Sequence, residues 1–259
     1  MNPVAGQPAA SGAAATAAAT DCFITVPDVT LPGGIVVPSF RVGQFACSKG
    51  DDGRLAVTAT GVPWVNINYH EARAACAAAG YAQVTERQWL AVAIDAARQD
   101  CNWTGGRVGA GKLFRGLRKG SVSGPQPGDY TPADEKERRW LTLSNGERIC
   151  DLNGNVWQWV FDDLQGDENG LTTIIEADSP SLTATPYPSM KKGMGWRPEE
   201  RCDWSGYALF RGGCWLSGRC AGAFYLVGGW PDLRYDLVAV RCTQPIGVSD
   251  PRSLVAAQP

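Results

Sequence analysis

FRGGCWLSGRCAGAFYLVGGWPDLRYDLVAVRC, residues 210–242, alternates rigid punctuation with chemically unrelated residues. The punctuation is Arg211-Gly212-Gly213, Trp215, Gly218, Ala221-Gly222, Phe224-Tyr225, Gly228, Pro231 and Val240-Arg241. Between these stand Cys214, Leu216, Arg219, Val227, Trp230, Leu233, Arg234, Tyr235, Asp236 and Leu237, which keep neither a helical nor a strand period. Aromatic, aliphatic and charged groups mixed on a glycine-braced frame suit contact better than chemistry.

The rest of the chain agrees with a loop-rich fold. Its 259 residues are enough to bury a sizeable core in one large or two small domains. With 31 Gly, 17 Pro and 10 Trp, the composition favours short strands and large aromatic anchors over a helix bundle. The formal charge of -2 comes with no dense basic stripe, so nucleic acid is not an expected partner. Nine cysteines without a CxxC pair, and a single histidine, provide no zinc ligand set. An odd cysteine count favours reduced thiols and a cytosolic or virion setting, with a cell surface reachable through the tail. No run approaches the ~20 apolar residues that span a bilayer, so no membrane insertion is expected.

Composition divides the chain into an Ala-rich flexible tail over 1–21, a single domain over 22–248 and a C-terminal tail over 249–259. FITVPDVTLPGGIVVPSFRVGQF at 23–45 reads as two or three short strands with turns. Asn68 with Glu71, and Thr85 with Gln88, form two capping boxes. They predict a helix ending at Gly80, with Ala72, Ala75, Cys76 and Ala79 on one face. The second helix runs to about Arg98 and buries Trp89, Leu90, Ala93, Ile94, Ala96 and Ala97. Trp140 to Leu143 and Arg148 to Leu152 are further strand candidates.

Five local motifs have ordinary readings. GRVGAGKL at 106–113 approaches a phosphate loop but lacks the Ser or Thr that holds magnesium and a helix to follow, so it reads as a surface loop. His70 falls in the first turn of the first helix, as a solvated residue. The acidic run Asp162 to Gly170 has oxygen donors for calcium without the spacing of an EF-hand. Cys214 and Cys220 lie at a loop-closing separation, either as a redox pair or as two unrelated thiols. Asn102-Trp103-Thr104 is a glycosylation sequon with meaning only in a secreted eukaryotic chain.

GNVWQW at 154–159, RGGCW at 211–215 and VAVRC at 238–242 together resemble the formylglycine-generating-enzyme family, a variant of the C-type lectin fold. VPWVNINYHEARAAC at 62–76 and VTERQWLAVA at 84–93 are similar to its paired helix region, so the resemblance covers roughly residues 35–242. It implies an α+β, loop-rich domain with two helices and short antiparallel strands.

Within that family, LSNGERICDLNGNVWQWVFDDLQGDENG at 143–170 and RGGCWLSGRCAGAFYLVGGWP at 211–231 resemble the variable proteins of diversity-generating retroelements. In those proteins a reverse transcriptase copies a template repeat with errors at adenines and rewrites the C-terminal coding region. The resemblance implies a scaffold of Arg211, Gly212, Gly213, Trp215, Gly218, Ala221, Gly222, Phe224, Pro231 and Arg241. It implies variable, ligand-contacting positions at Cys214, Leu216, Arg219, Cys220, Val227, Gly229, Trp230, Leu233, Arg234, Tyr235, Asp236 and Leu237. A tryptophan codon is not reachable from the asparagine codons that usually supply such sites, which sets Trp230 apart. The expected partner is a macromolecule, most naturally a protein, bound through anchors at Trp230, Tyr235, Arg219 and Arg234.

The enzymes of the family resemble RGGSYxCxxxxC, with copper-binding thiols four and nine residues after the second glycine. Those places hold Ser217 and Gly222 here, and Cys214 and Cys220 are out of register. The iron-dependent relatives need a histidine cluster, against one histidine in this chain. The expectation is therefore a binding protein with no catalytic residue, metal or cofactor. A cysteine-dependent oxidase and a structural virion or surface-assembly domain are the alternatives.

Overall fold

A computed structural model describes residues 21–183, 186, 187, 189–244 and 246; most of the two tails therefore lies outside the described residues. The main strands are β1 (Phe23–Val26), β2 (Phe40–Gly43), β3 (Ala82–Gln83), β4 (Trp157–Val160), β5 (Ala208–Arg211), β6 (Leu226–Gly229), β7 (Val238–Val240) and β8 (Cys242–Gln244). They form two four-stranded sheets, ordered β1-β2-β8-β3 and β6-β5-β4-β7. Every pairing is antiparallel except β4 with β7, where Gln158 faces Ala239 in parallel register. Shorter two-stranded pairs include the hairpin of Trp140–Thr142 with Arg148–Cys150, at the predicted strand positions.

Two helices, α1 (Tyr69–Ala78) and α2 (Glu86–Ala97), start where the caps predict. The Asn68 side chain accepts from the Glu71 amide at 2.8 Å while Glu71 accepts from the Asn68 amide at 3.1 Å. Thr85 and Gln88 repeat the exchange at 3.2 and 3.0 Å. Each cap satisfies amides that the first helical turn leaves open. Gly80, with φ +80°, lets the chain leave α1. Helix α1 buries Tyr69, Ala72 and Cys76, with Ala75 half-buried beside them.

Helix α2 is buried on almost every side and centres the largest core, where Trp89, Leu90 and Ile94 meet Ile24, Val42, Val160, Leu209 and Phe224. Its burial extends to two acids that hydrophobic periodicity does not reveal, Glu86 and Asp95. A second core packs α1 against Trp159, Phe210, Val238, Val240 and three neighbouring thiols, Cys47, Cys76 and Cys242.

Arg241 joins the two sheets. It lies between β7 in one sheet and β8 in the other, fully buried. Its Nε donates to Gln158 Oε1 at 2.6 Å, Nη1 to the Gly43 carbonyl at 2.6 Å and Nη2 to the Cys150 carbonyl at 2.7 Å. One side chain thereby ties both sheets to the 148–150 strand. Among the described residues, no helix is long and apolar enough to cross a membrane.

Several local readings find their physical basis. The 106–113 segment closes on itself through Thr104 and Lys112, with no helix after it. His70 is partly exposed, with Nε2 3.6 Å from Asp232. In the acidic run that offers oxygen donors for calcium, Asp162 accepts from the Leu164 and Gln165 amides and Asp167 from the Asn169 amide. Among the described residues no group of three or more His, Cys, Asp or Glu side chains is arranged to hold a metal ion. The sequon asparagine, Asn102, is buried and donates to the Ala96 and Thr142 carbonyls at 2.8 and 2.7 Å, which leaves its amide no room for a glycan. Asp21, assigned to the tail, belongs to the fold, where it accepts from the Val57 amide at 2.6 Å and the Tyr81 hydroxyl at 2.7 Å.

Candidate functional site

The segment 210–242 separates into a buried frame and an outer face. Arg211 ends β5 with no solvent exposure. Its Nε donates to Glu86 Oε2 at 2.8 Å and Nη2 to Glu86 Oε1, while Nη1 reaches the Phe224 carbonyl at 3.0 Å and Nη2 also the Ser181 carbonyl at 3.0 Å. Glu86, at the start of α2, thus matches the guanidinium with a bidentate pair in a solvent-shielded site.

Gly212 and Gly213 follow with φ of +94° and +104°, a region that other residues adopt only with strain. A Cβ on Gly212 would meet the Leu152 carbonyl at 3.0 Å, and one on Gly213 would meet Ala221 at 3.0 Å. The two glycines let the chain turn between the 152 loop and the 221 turn. Trp215 and Phe224 are buried below the turn, and the Phe224 amide donates to the Met194 carbonyl at 2.8 Å. Pro231 is buried, and its carbonyl accepts from the Tyr69 amide at 3.0 Å.

The outer face has two parts. The first is the turn after Trp215, where Leu216 and Arg219 are exposed and Cys220 half-buried. The backbone is held by neighbours: the Gly218 amide donates to the Arg118 carbonyl at 2.7 Å and the Gly120 amide to the Trp215 carbonyl at 2.8 Å. The second part is the loop between β6 and β7, where Trp230, Leu233, Arg234 and Asp236 are exposed. It sits on the N-terminal end of α1, with the Asn66 amide bonded to the Tyr235 carbonyl at 2.9 Å. Leu216 at 61 %, Trp230 at 55 % and Leu233 at 49 % exposure are large apolar groups left in water. Between the two parts Trp157 packs on Phe210 and Tyr225, with ring centroids 5.4 and 6.0 Å away.

Two of the twelve expected contact positions are corrected. Cys214 is 1 % exposed and packs with Leu117, Val156 and Ala239, so it belongs to the frame. Burial raises its thiol above the ordinary value, against the hydrogen bond from Ser217. Cys214 and Cys220 remain separate thiols. Gly229 is buried, and a Cβ there would stand 2.8 Å from the Phe210 ring and 3.2 Å from the Tyr235 hydroxyl, so a larger residue has no room.

Two expected anchors have intramolecular tasks as well. Arg234 pairs with Glu71 through Nε, at 3.0 Å, and through Nη2. Tyr235 is half-buried, with Trp159 at 6.0 Å and Phe210 at 6.2 Å between ring centroids. Val227 and Leu237 are also half-buried, against separate cores. Sequence reading missed Tyr207, whose ring stands edge-on to Trp230 at 4.5 Å, and the second role of Glu71, which was visible only as a cap.

A model of the sulfatase-modifying factor enzyme 1-like domain matches residues 39–242. The chain belongs to that family. The two sheets, two helices and long loops are the C-type lectin-like fold of the sulfatase-modifying factor type. Similar solved structures include Treponema denticola variable protein 1, at 14 % identity over 86 % of this chain and 94 % of that one, with a TM-score of 0.48. PvdO from Pseudomonas aeruginosa has 13 % identity, the same coverages and a TM-score of 0.43. The P3c variant of the major tropism determinant has 10 % identity over 84 % of this chain and 52 % of that one, with a TM-score of 0.43. No curated protein matches the chain. Ser217 and Gly222 stand where the resemblance to the family's oxidases puts the copper-binding thiols. Ser217 hydrogen-bonds the Cys214 amide at 2.8 Å, and a Cβ on Gly222 would meet the Gly195 amide nitrogen at 2.3 Å.

Proposed function

We propose that this chain is a non-enzymatic binding protein that presents the exposed residues of 216–236 to a macromolecular ligand, most naturally a protein. The observation that carries this reading is the division within one short segment. Arg211, Trp215, Phe224 and Arg241 are buried in bonded or packed positions, while Leu216, Arg219, Trp230, Leu233, Arg234 and Asp236 face water. Substitution at those six positions changes the surface chemistry with little demand on the core. Aromatic and arginine side chains among them are the residue types that dominate binding energy.

The segment's likeness to retroelement-diversified proteins supplies a source for such changes, with a reverse transcriptase and a template repeat as gene-level partners. The test lies in the DNA around the gene and in its natural variants. The expected result is a near-identical repeat of codons 210–242 that differs at adenines, beside a reverse transcriptase gene, with substitutions between variants concentrated on the six exposed positions. Variants in which Arg211, Trp215 and Phe224 change as often as Trp230 and Leu233 would sink the reading.

The absence of a catalytic role rests on Ser217 and Gly222 at the thiol positions and on the burial of Cys214. Copper-loaded protein is expected to leave a sulfatase-type cysteine peptide unchanged. Turnover that disappears in Cys220→Ser would establish the oxidase instead.

A further inference from the structure

Three thiols meet in the second core. Cys242 opens β8, directly after Arg241, and its Sγ stands 3.1 Å from Cys76 Sγ on α1 and 3.3 Å from Cys47 Sγ. All three residues are fully buried, among Tyr69, Trp159, Phe210 and Val240. They come from distant parts of the chain, since Cys76 is 166 residues and Cys47 195 residues from Cys242. The backbone holds each of them in place. The Cys47 amide donates to the Val240 carbonyl at 2.8 Å, the Cys76 carbonyl accepts from the Tyr81 amide at 2.9 Å, and Cys242 pairs with Gln83 between β8 and β3.

A buried cysteine needs no sulfur neighbour, because it packs as a small apolar group. Two sulfur contacts on one Sγ are a different arrangement, and each exceeds a disulfide bond by only about 1 Å. Cys242 can bond to one neighbour at a time, so whichever pair closes, the third thiol stays beside the bond. The folded cluster is itself protected from outside reagents. Burial, and then the hydrogen bond from Cys47, push the Cys242 thiol well above its ordinary value, and a protonated thiol is a poor nucleophile. A bond here is therefore made while the chain folds and the sulfurs are still within reach of an oxidant.

We propose that Cys242 is the shared half of two alternative disulfides, closed with Cys76 or with Cys47 when the chain folds in the presence of a small disulfide such as oxidised glutathione. One protein thiolate attacks oxidised glutathione and expels the first reduced glutathione. The partner cysteine's thiolate then attacks the protein sulfur of the mixed disulfide and expels the second. Each glutathione takes up one proton, so two cysteines lose two hydrogens and glutathione gains them. As the fold closes, the Cys47 thiolate can also attack Cys242 Sγ in a bond already made with Cys76 and release Cys76, with no further oxidant. Either bond pins the end of the 210–242 segment, to α1 beneath the 230–237 loop or to the backbone at residue 47. It uses none of the exposed positions, so the chemistry is independent of the binding reading above.

The test refolds the full, reduced chain from denaturant with a mixture of reduced and oxidised glutathione, blocks the remaining thiols by alkylation and maps the peptides by mass spectrometry without reduction. The parent is expected to show Cys242 linked to Cys76 and to Cys47, each linked pair lighter by two hydrogens than its reduced peptides. Its melting temperature should exceed that of the chain refolded with dithiothreitol by about 5–10 °C. Cys76→Ala should pass the whole bond to Cys47, Cys47→Ala should leave it with Cys76, and Cys242→Ala should lose both links and the thermal shift. Cys242 recovered fully alkylated from the refolded parent, or joined chiefly to a cysteine outside the cluster, overturns the proposal. Because that map is made on the unaltered chain, it does not depend on any variant folding. If Cys76→Ala folds and its Cys242 stays unlinked, Cys47 is no alternative partner and the sharing is wrong.

Discussion

The turn at 214–220 and the loop at 230–237 carry the same mixture of aliphatic, aromatic and charged residues, yet they are held in different ways. In the turn the holding is done by backbone bonds, from Gly218 to Arg118 and Gly120 to Trp215, and by inward side chains, with Arg115 donating to the Arg219 carbonyl, while the Leu216 and Arg219 side chains extend into water. In the loop the side chains also take part. Arg234 pairs with Glu71 on α1, and Tyr235 packs between Trp159 and Phe210. A surface whose exposed side chains take no part in its own support can change them freely; one that borrows those side chains for support can change only some of them. Both parts hang from the same buried frame, and each can be perturbed separately.

The largest effect is expected at that shared frame. Arg211→Met removes one partner of a fully buried ion pair and leaves Glu86 uncompensated among apolar neighbours. The loss should be about 3–5 kcal/mol in chemical denaturation. Replacing both partners, with Glu86→Leu added, should recover part of it, because no lone charge then remains inside. A loss below about 1 kcal/mol for the single change would remove the frame from the comparison.

Next comes the contrast between the two parts themselves. Tyr235→Ala opens space beside Trp159 and Phe210 and should cost about 2 kcal/mol, below the range for a fully buried aromatic. Leu216→Ala and Arg219→Ala should remain within about 0.5 kcal/mol of the parent. Equal losses at Tyr235 and Leu216 would mean that the turn and loop are supported alike. Trp230→Ala is expected between these limits, since its ring meets Tyr207 while remaining mostly in water.

These differences also mark where sequence reading succeeds. The two helices were legible because a capping box is a local exchange over three residues, visible at Asn68 and Glu71 and again at Thr85 and Gln88. The frame glycines were legible because Gly212 and Gly213 sit in a motif that resembles a known family. Cys214 and Gly229 were misplaced for a physical reason: their burial depends on Leu117, Ala239, Phe210 and Tyr235, all brought there by tertiary folding. The joining of two sheets by Arg241 was likewise invisible, since its acceptors come from residues 43, 150 and 158.

A smaller effect concerns an acid near the same frame. Burial, and then the charge of Glu86, raise the Asp162 pKa from 3.8 to about 6. A carboxyl that binds its proton more tightly when folded contributes most below about pH 4, and that contribution declines as pH rises through about 6. Asp162→Asn keeps an oxygen to accept from the Leu164 and Gln165 amides while removing the charge. Its stability should therefore exceed the parent's by about 1–2 kcal/mol at pH 7, and the two should converge near pH 4. Denaturation curves at both pH values check this; equal stabilities at pH 7 would show that Asp162 carries no strain from Glu86.

The smallest effect isolates the support that the loop borrows from α1. Hydrogen bonding from Arg234, and then from the Asn68 amide, holds the Glu71 carboxyl below its ordinary value of 4.5. A depressed carboxyl stabilises the fold above its unfolded value and loses that contribution as pH falls through the lower folded one. The parent's melting temperature should therefore drop as pH is lowered from 5 toward 3, in part through this group. Arg234→Ala should raise the Glu71 titration midpoint, followed by NMR, toward the ordinary value. The Asn68 amide will keep it somewhat depressed, because the helix cap survives. Since both side chains are substantially exposed, the difference should shrink with added salt. An unchanged Glu71 titration in Arg234→Ala would mean that the loop rests on α1 through its backbone alone, as the turn rests on its neighbours, and the distinction between the two parts would reduce to Tyr235.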